Sequence, residues 1–134
     1  MAENGSDPAA RMPSNRPDFA LLAGNELLVS AAAIGARGMF APLAVVAPTL
    51  VRRLFDLCRA QNLFEARALQ EEAAALRQIL KAGGVAALKA AARAMGRECG
   101  EPRPPLLPLA ASEEKKLMAA LEALPVLAGE PRGW

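Results

Sequence analysis

From Thr49 to Glu101 the chain carries no proline, and apolar residues recur there at intervals of three and four. That spacing turns one side of a helix toward a core and leaves the other to water. Leu50, Val51, Leu54, Phe55, Leu57 and Cys58 predict a helix that starts at Pro48, where a missing amide costs nothing, and stops near Asn62. Ala66, Leu69, Ala73, Leu76 and Leu80 make one stripe of a second helix over 64–81, with Glu65, Arg67, Glu71 and Arg77 mainly off it. Glu71 and Glu72 read as a solvated mixed-charge face. Gly83-Gly84 breaks the pattern, and a third helix comes next over 85–95, closed by Gly96.

Ahead of Pro48 the pattern is different. Asp18-Phe-Ala-Leu-Leu-Ala-Gly24 is a short apolar run ended by glycine, which fits a buried parallel strand as well as a helix fragment. A short helix over 26–34 closes at Gly35, and 38–41 reads as a second strand cut off by Pro42, which cannot donate to a sheet ladder. Two strands joined through a helix form a βαβ-like unit, which exposes two edges and calls for more strands beside it. Toward the end, Arg103-Pro-Pro-Leu-Leu-Pro108 is expected to be extended, because each residue before a proline is pushed out of the helical region. A last helix begins at Ser112 as N-cap, with Glu113 and Glu114 in its positive first turn, and runs to about 124. The tail over 125–134 is expected to fray.

Composition sharpens this picture. Ala (31) and Leu (20) far outnumber Val, Ile and Thr (9 together), which favours helix over sheet. Hydrophobic residues are 53% of 134 and charged ones 22%, enough for the core of one globular domain. The 16 basic and 14 acidic residues are spread along the chain, and the only aromatic ring after Phe64 is Trp134, so no nucleic-acid surface is expected. The absence of His and Tyr removes His triads, His metal sites and Tyr acid catalysis, and leaves Lys, Glu, Asp, Ser, Thr and Cys for any chemistry. Cys58 and Cys99 are too far apart for a CxxC motif and read as inert reduced thiols; no metal or other cofactor is expected. The first 18 residues carry acids and prolines and no apolar core, so no signal peptide is read and a cytoplasmic protein is expected. The apolar stretch 27–51 is not expected to span a membrane: Arg37 at mid-span would cost roughly 2.5–3.5 kcal/mol, and Gly35, Gly38, Pro42 and Pro48 interrupt it.

Several segments, in this order, resemble the dihydrodipicolinate synthase / N-acetylneuraminate lyase family of pyruvate-dependent class I aldolases. Phe19-Ala-Leu-Leu-Ala-Gly24-Asn25-Glu26 is similar to the family's seventh strand and its turn, and Ile34-Gly35-Ala36-Arg37-Gly38-Met39-Phe40 to the entry into the eighth. Val45-Val46-Ala47-Pro48 resembles the "N-v-x-P" after that strand, with Val45 in place of the Asn, and Phe64-Glu65-Ala66-Arg67-Ala68-Leu69 the next helix. Downstream, Leu88 to Gly96 is similar to "v-K-x-a-l-x-x-x-G" and Arg103 to Leu109 to "R-x-P-l-x-p-l".

The resemblance implies an α/β fold: a partial TIM barrel, the last two strands of a (β/α)8 barrel, followed by a mostly α-helical C-terminal region. The units expected are an irregular segment 1–17, two βα units over 18–48, a helical region 49–124 and a flexible tail 125–134. In the family, pyruvate forms a Schiff base with a Lys at the end of the sixth strand; Glu3-Asn4-Gly5-Ser6-Asp7 resembles the residues just after that Lys, which aligns it with Ala2. The chain is thus expected to be a C-terminal fragment whose parent joins or cleaves carbon–carbon bonds with pyruvate or another 2-oxo acid, and to be inactive alone. Two substrate-site positions carry over as backbone roles, Gly24 and Phe40, beside the plainer reading of a strand-end turn and a core aromatic. Lys89, on a helix after the barrel, reads as a structural or solvated lysine, and the PxxP spacing of 103–108 as a packed connector. The alternatives are a helical module that self-associates without catalysis, and a barrel completed by a second chain.

Overall fold

The computed structural model describes residues 18–24 and 27–133, so the expected irregular segment 1–17 and the helix start at Glu26 lie outside the described residues. Among those described, two short parallel strands, β1 (Leu22–Ala23) and β2 (Gly38–Met39), are joined by helix α1 (Leu28–Ala33). Leu22 pairs with Gly38 and Ala23 with Met39. Flanking bonds extend the pairing, from the Arg37 amide to the Leu21 carbonyl and from the Phe40 amide to the Ala23 carbonyl, both 2.8 Å. The strands are shorter than the apolar runs 18–24 and 38–41 because pairing ends where partners end, and Pro42 brings no amide. Gly38 lies close to its partner strand: a Cβ there would stand 3.0 Å from the Leu22 Cδ2, and the leucine side chain would have to shift.

A 3-10 turn (Pro42–Val45) leads into α2 (Pro48–Arg59), which has Pro48 in its first turn as the sequence predicts. Helix α2 closes in a Schellman motif: the Gln61 amide donates to the Cys58 carbonyl at 3.1 Å and the Asn62 amide to the Leu57 carbonyl at 3.0 Å. Gln61 takes the left-handed position, φ 58°, that glycine usually fills. Asn62 at once caps α3 (Leu63–Lys81), accepting from the Glu65 amide at 3.4 Å. Helix α4 (Gly84–Ala94) ends at Gly96, φ 80°, whose amide donates to the Arg93 carbonyl at 2.8 Å. The last helix, α5 (Ala111–Glu122), begins two residues before the predicted start. Ala110, not Ser112, is its N-cap, and no side chain caps it, although Glu113 and Glu114 do occupy the first turn.

One core runs through the helices and the segment after β2. Leu28 of α1 and Leu43, Val46 and Ala47 of the loop after β2 join Leu50, Leu54, Leu76, Leu80, Leu117 and Leu121 from the helices. The predicted α3 stripe is the buried one: Ala66, Ala73, Leu76 and Leu80 are buried and Leu69 packs partly against the core. Alanines at 66, 73, 87, 90 and 91 let the helices approach closely, since the distance between helix axes is set by the side chains at the contact.

Where a flexible tail is expected, Pro125–Gly129 form a 3-10 turn that buries Leu127, and the chain then runs back along the C-terminus of α4. The Gly133 amide donates to the Met95 carbonyl at 2.8 Å, and Arg132 Nη1 to the Ala94 carbonyl at 3.2 Å. Leu127 supplies the apolar area and α4 the orphan carbonyls that a frayed tail would leave to water. Among the described residues, no helix is long and apolar enough to cross a membrane.

Candidate functional site

The parallel pairing of β1 and β2 brings Gly24 and Phe40 to the same end of the sheet, each just past the last paired residue of its strand. This is the carboxyl end, where open and closed α/β sheets assemble their ligand sites. Gly24 is exposed, and a Cβ there would meet nothing within 4 Å. Phe40 is 71% exposed beside the two strands described. Phe19 and Leu22, at 46% each, also face away from the core formed by the helices.

The loop after Phe40 is braced from behind by two groups absent from the sequence reading. Arg97 is 2% exposed, and its guanidinium donates to the carbonyls of Val45 at 2.9 Å, Val46 at 3.1 Å and Pro131. Buried guanidinium groups are tolerated only when such acceptors replace water. Glu130, 7% exposed, places one carboxylate oxygen 2.9 Å from the Thr49 amide and the other 2.7 Å from the Leu50 amide. Its negative charge thus sits on the positive end of α2 and satisfies two of its orphan amides. One signal was available: Ala47 cannot cap a helix, so a start at Pro48 needs a cap from elsewhere. Which distant residue supplies it is invisible locally.

The remaining candidates lie apart from this end of the sheet. Lys89 Nζ donates to the carbonyls of Cys99 at 2.6 Å and Glu101 at 3.0 Å, which ties the loop after α4 to that helix, the structural role expected of it. Arg93 reinforces the same loop through Glu101 at 3.2 Å and reaches Glu114 of α5 at 3.4 Å. Both cysteines are free; Cys58 is buried, and that burial pushes its thiol up from the ordinary range, in keeping with an inert side chain. The segment 103–108 is less packed than expected: Leu106 and Leu107 are 50% and 80% exposed, and only the flanking Pro102 and Leu109 hold it to the body. Among the described residues no cluster of three or more His, Cys, Asp or Glu could hold a metal.

A parallel β-α-β unit with its loops at the carboxyl end, backed by helices, defines an α/β protein of the kind that builds sites at strand ends. The model of the dihydrodipicolinate synthetase family matches residues 8–124, and the chain belongs to that family. No curated protein matches it. Solved structures carry the same fold. A protein from Pseudomonas aeruginosa assigned to the dihydrodipicolinate synthetases is 29% identical over 79% of this chain and 37% of its own, with a TM-score of 0.70. KD(P)GA from T. tenax is 29% identical over 75% and 37%, with a TM-score of 0.67. A dihydrodipicolinate synthase family protein from Coccidioides immitis, 24% identical with a TM-score of 0.65 over 84% and 39%, is alike in fold. The chain spans under two fifths of the length of each of these structures.

Proposed function

We propose that this chain is the C-terminal portion of a pyruvate-type class I aldolase, supplying the last two strands of a TIM barrel and the helices after them. By itself it is silent in aldol chemistry. A Schiff base with pyruvate or another 2-oxo acid requires a lysine whose amine is shielded and free to lose its proton. The observation that carries the proposal is where the lysines are. The sequence has four, Lys81, Lys89, Lys115 and Lys116, and all lie on α3, α4 and α5, away from the strand ends marked by Gly24 and Phe40. In a completed barrel, Gly24 and Phe40 would line the pocket through their backbones. The exposure of Phe40, Leu22 and Phe19 then reads as the inner surface of a barrel whose other strands are not on this chain's described part.

Borohydride reduction of the purified chain with pyruvate, read by intact mass and peptide mapping, tests this. No adduct is expected on the chain alone. An adduct on Lys89 would overturn the proposal and move the chemistry to α4. Addition of a separately expressed N-terminal barrel half bearing the nucleophilic lysine is expected to restore trapping, on that half. A second reading is favoured by Phe64, 88% exposed at the start of α3: the helices self-associate as an assembly module without catalysis. Sedimentation over a hundredfold concentration range separates the two, because only the second predicts growth in size.

A further inference from the structure

At the end of the sheet opposite Gly24 and Phe40, a cleft of about 430 Å³ opens between the C-termini of α1 and α2. Its lining combines apolar residues, Leu28, Ala32, Phe55 and Cys58, with Arg37 and Arg59. No acidic side chain lines it among the described residues. Asp56, the nearest acid in sequence, is occupied 2.9 Å from Arg52 Nε on the exposed side of α2. Among the described residues, no carboxylate is paired with either arginine. The Arg59 guanidinium lies 5.9 Å from the Phe55 ring centroid, and the Arg37 backbone is fixed by its amide bond to the Leu21 carbonyl.

Two helix C-termini also meet here, and their partial negative charge would oppose an anion. That opposition is weakened, because several of the last carbonyls are already bonded in closing turns. Ala31 and Ala32 accept from the Ala36 and Gly35 amides, and Leu57 and Cys58 from the Asn62 and Gln61 amides. Two full positive charges therefore prevail over two quenched partial ones. In barrels this end of the strands serves stability, a duty that would favour arginines paired with carboxylates over two that have no such partner among the described residues.

The geometry points to a second binding site here, remote from the strand-end pocket, for a small organic anion: one carboxylate or phosphate group carried on a compact apolar body. The anion bridges Arg37 and Arg59, whose planar forks suit either headgroup, and the apolar body rests on Leu28 and Phe55. The residues named are all on this chain, and the inference does not depend on the aldolase reading.

Titration of the isotopically labelled full chain with phenyl phosphate, benzoate and uncharged benzyl alcohol, followed by amide NMR, tests it. Saturable shifts are expected for Gly35, Ala36, Arg37, Arg59 and Gln61 with either anion, the tighter one identifying the headgroup, and no saturation with benzyl alcohol. Arg37→Gln and Arg59→Gln should each weaken binding at least fivefold, while Arg53→Gln, an exposed charge of the same helix outside the cleft, should not. Both cleft arginines are exposed, so the variants keep the fold, which unchanged amide dispersion verifies. Equal binding of benzyl alcohol would overturn the proposal by reducing the cleft to an apolar hole. An equal loss with Arg53→Gln, shifts centred elsewhere, or no saturation would overturn it as well.

Discussion

Removing the Glu130 carboxylate should loosen the molecule at a point 80 residues away in sequence. In Glu130→Ala the Thr49 and Leu50 amides, bonded at 2.9 and 2.7 Å, lose their acceptor, and Pro48 ensures that no earlier amide can share the loss. Loss of a helix cap costs ~0.5–2 kcal/mol, and a hydrogen bond to a charged group contributes ~1.5–3 kcal/mol. The Leu50 amide is buried and cannot turn to water, so the sum falls at about 2–4 kcal/mol. For a chain of this length each kcal/mol moves the melting temperature by roughly 3–5 °C, which predicts a fall on the order of 6–20 °C. Glu130→Gln keeps one acceptor oxygen and loses the charge on the α2 dipole, so it should land between wild type and Ala. Urea unfolding by circular dichroism checks both, with the midpoint shifted and the slope unchanged. A Glu130→Ala change within about 0.5 kcal/mol of wild type, the scale of an ordinary surface substitution, would refute the reasoning and mean that water caps α2 as well as the tail does.

Three further outcomes are expected. Gln61→Gly relieves a non-glycine φ of 58° at the close of α2 and should raise stability by about 0.5–1 kcal/mol, the strain released outweighing the added chain entropy; an unchanged urea midpoint would contradict it. Gly83→Ala brings a Cβ to 2.7 Å from the Ala87 Cβ, between the rigid start of α4 and its own turn, and should destabilise by about 1–3 kcal/mol in the same assay. Burial holds the Cys58 thiol protonated in the folded chain past the pH at which the unfolded thiol ionises. Stability from this residue is therefore present below the ordinary thiol range and lost as pH rises through it. Timed alkylation at mildly alkaline pH should accordingly label half-buried Cys99 ahead of Cys58, with the difference abolished in urea.

Much of the helical part was legible in the sequence, for local reasons. The alternation that buries Ala66, Ala73, Leu76 and Leu80, the proline that opens α2 and the glycine that ends α4 each act within a turn or two of themselves. The family resemblance was legible too, because Gly24, Gly35 and Gly38 keep their spacing around two short apolar runs. Gly24 and Phe40 could be placed at strand ends from the sequence, but whether Phe40 was core stayed open. Its 71% exposure comes from how few strands surround it, which no property of the residue foretells.

By itself, then, the sequence determined where most of the helices start and stop and which face of the long ones turns inward. Only the tertiary structure decided that the tail seats Leu127 in the core, that Glu130 caps α2 across 80 residues, that Arg97 is buried against Val45 and Val46, and that Arg37 and Arg59 face one cleft. Periodicity reports the surroundings of a residue averaged over its own helix. Which distant carboxylate meets which orphan amide depends on how the finished elements pack, and a polar residue in a loop looks the same in sequence whether it ends in water or in the core.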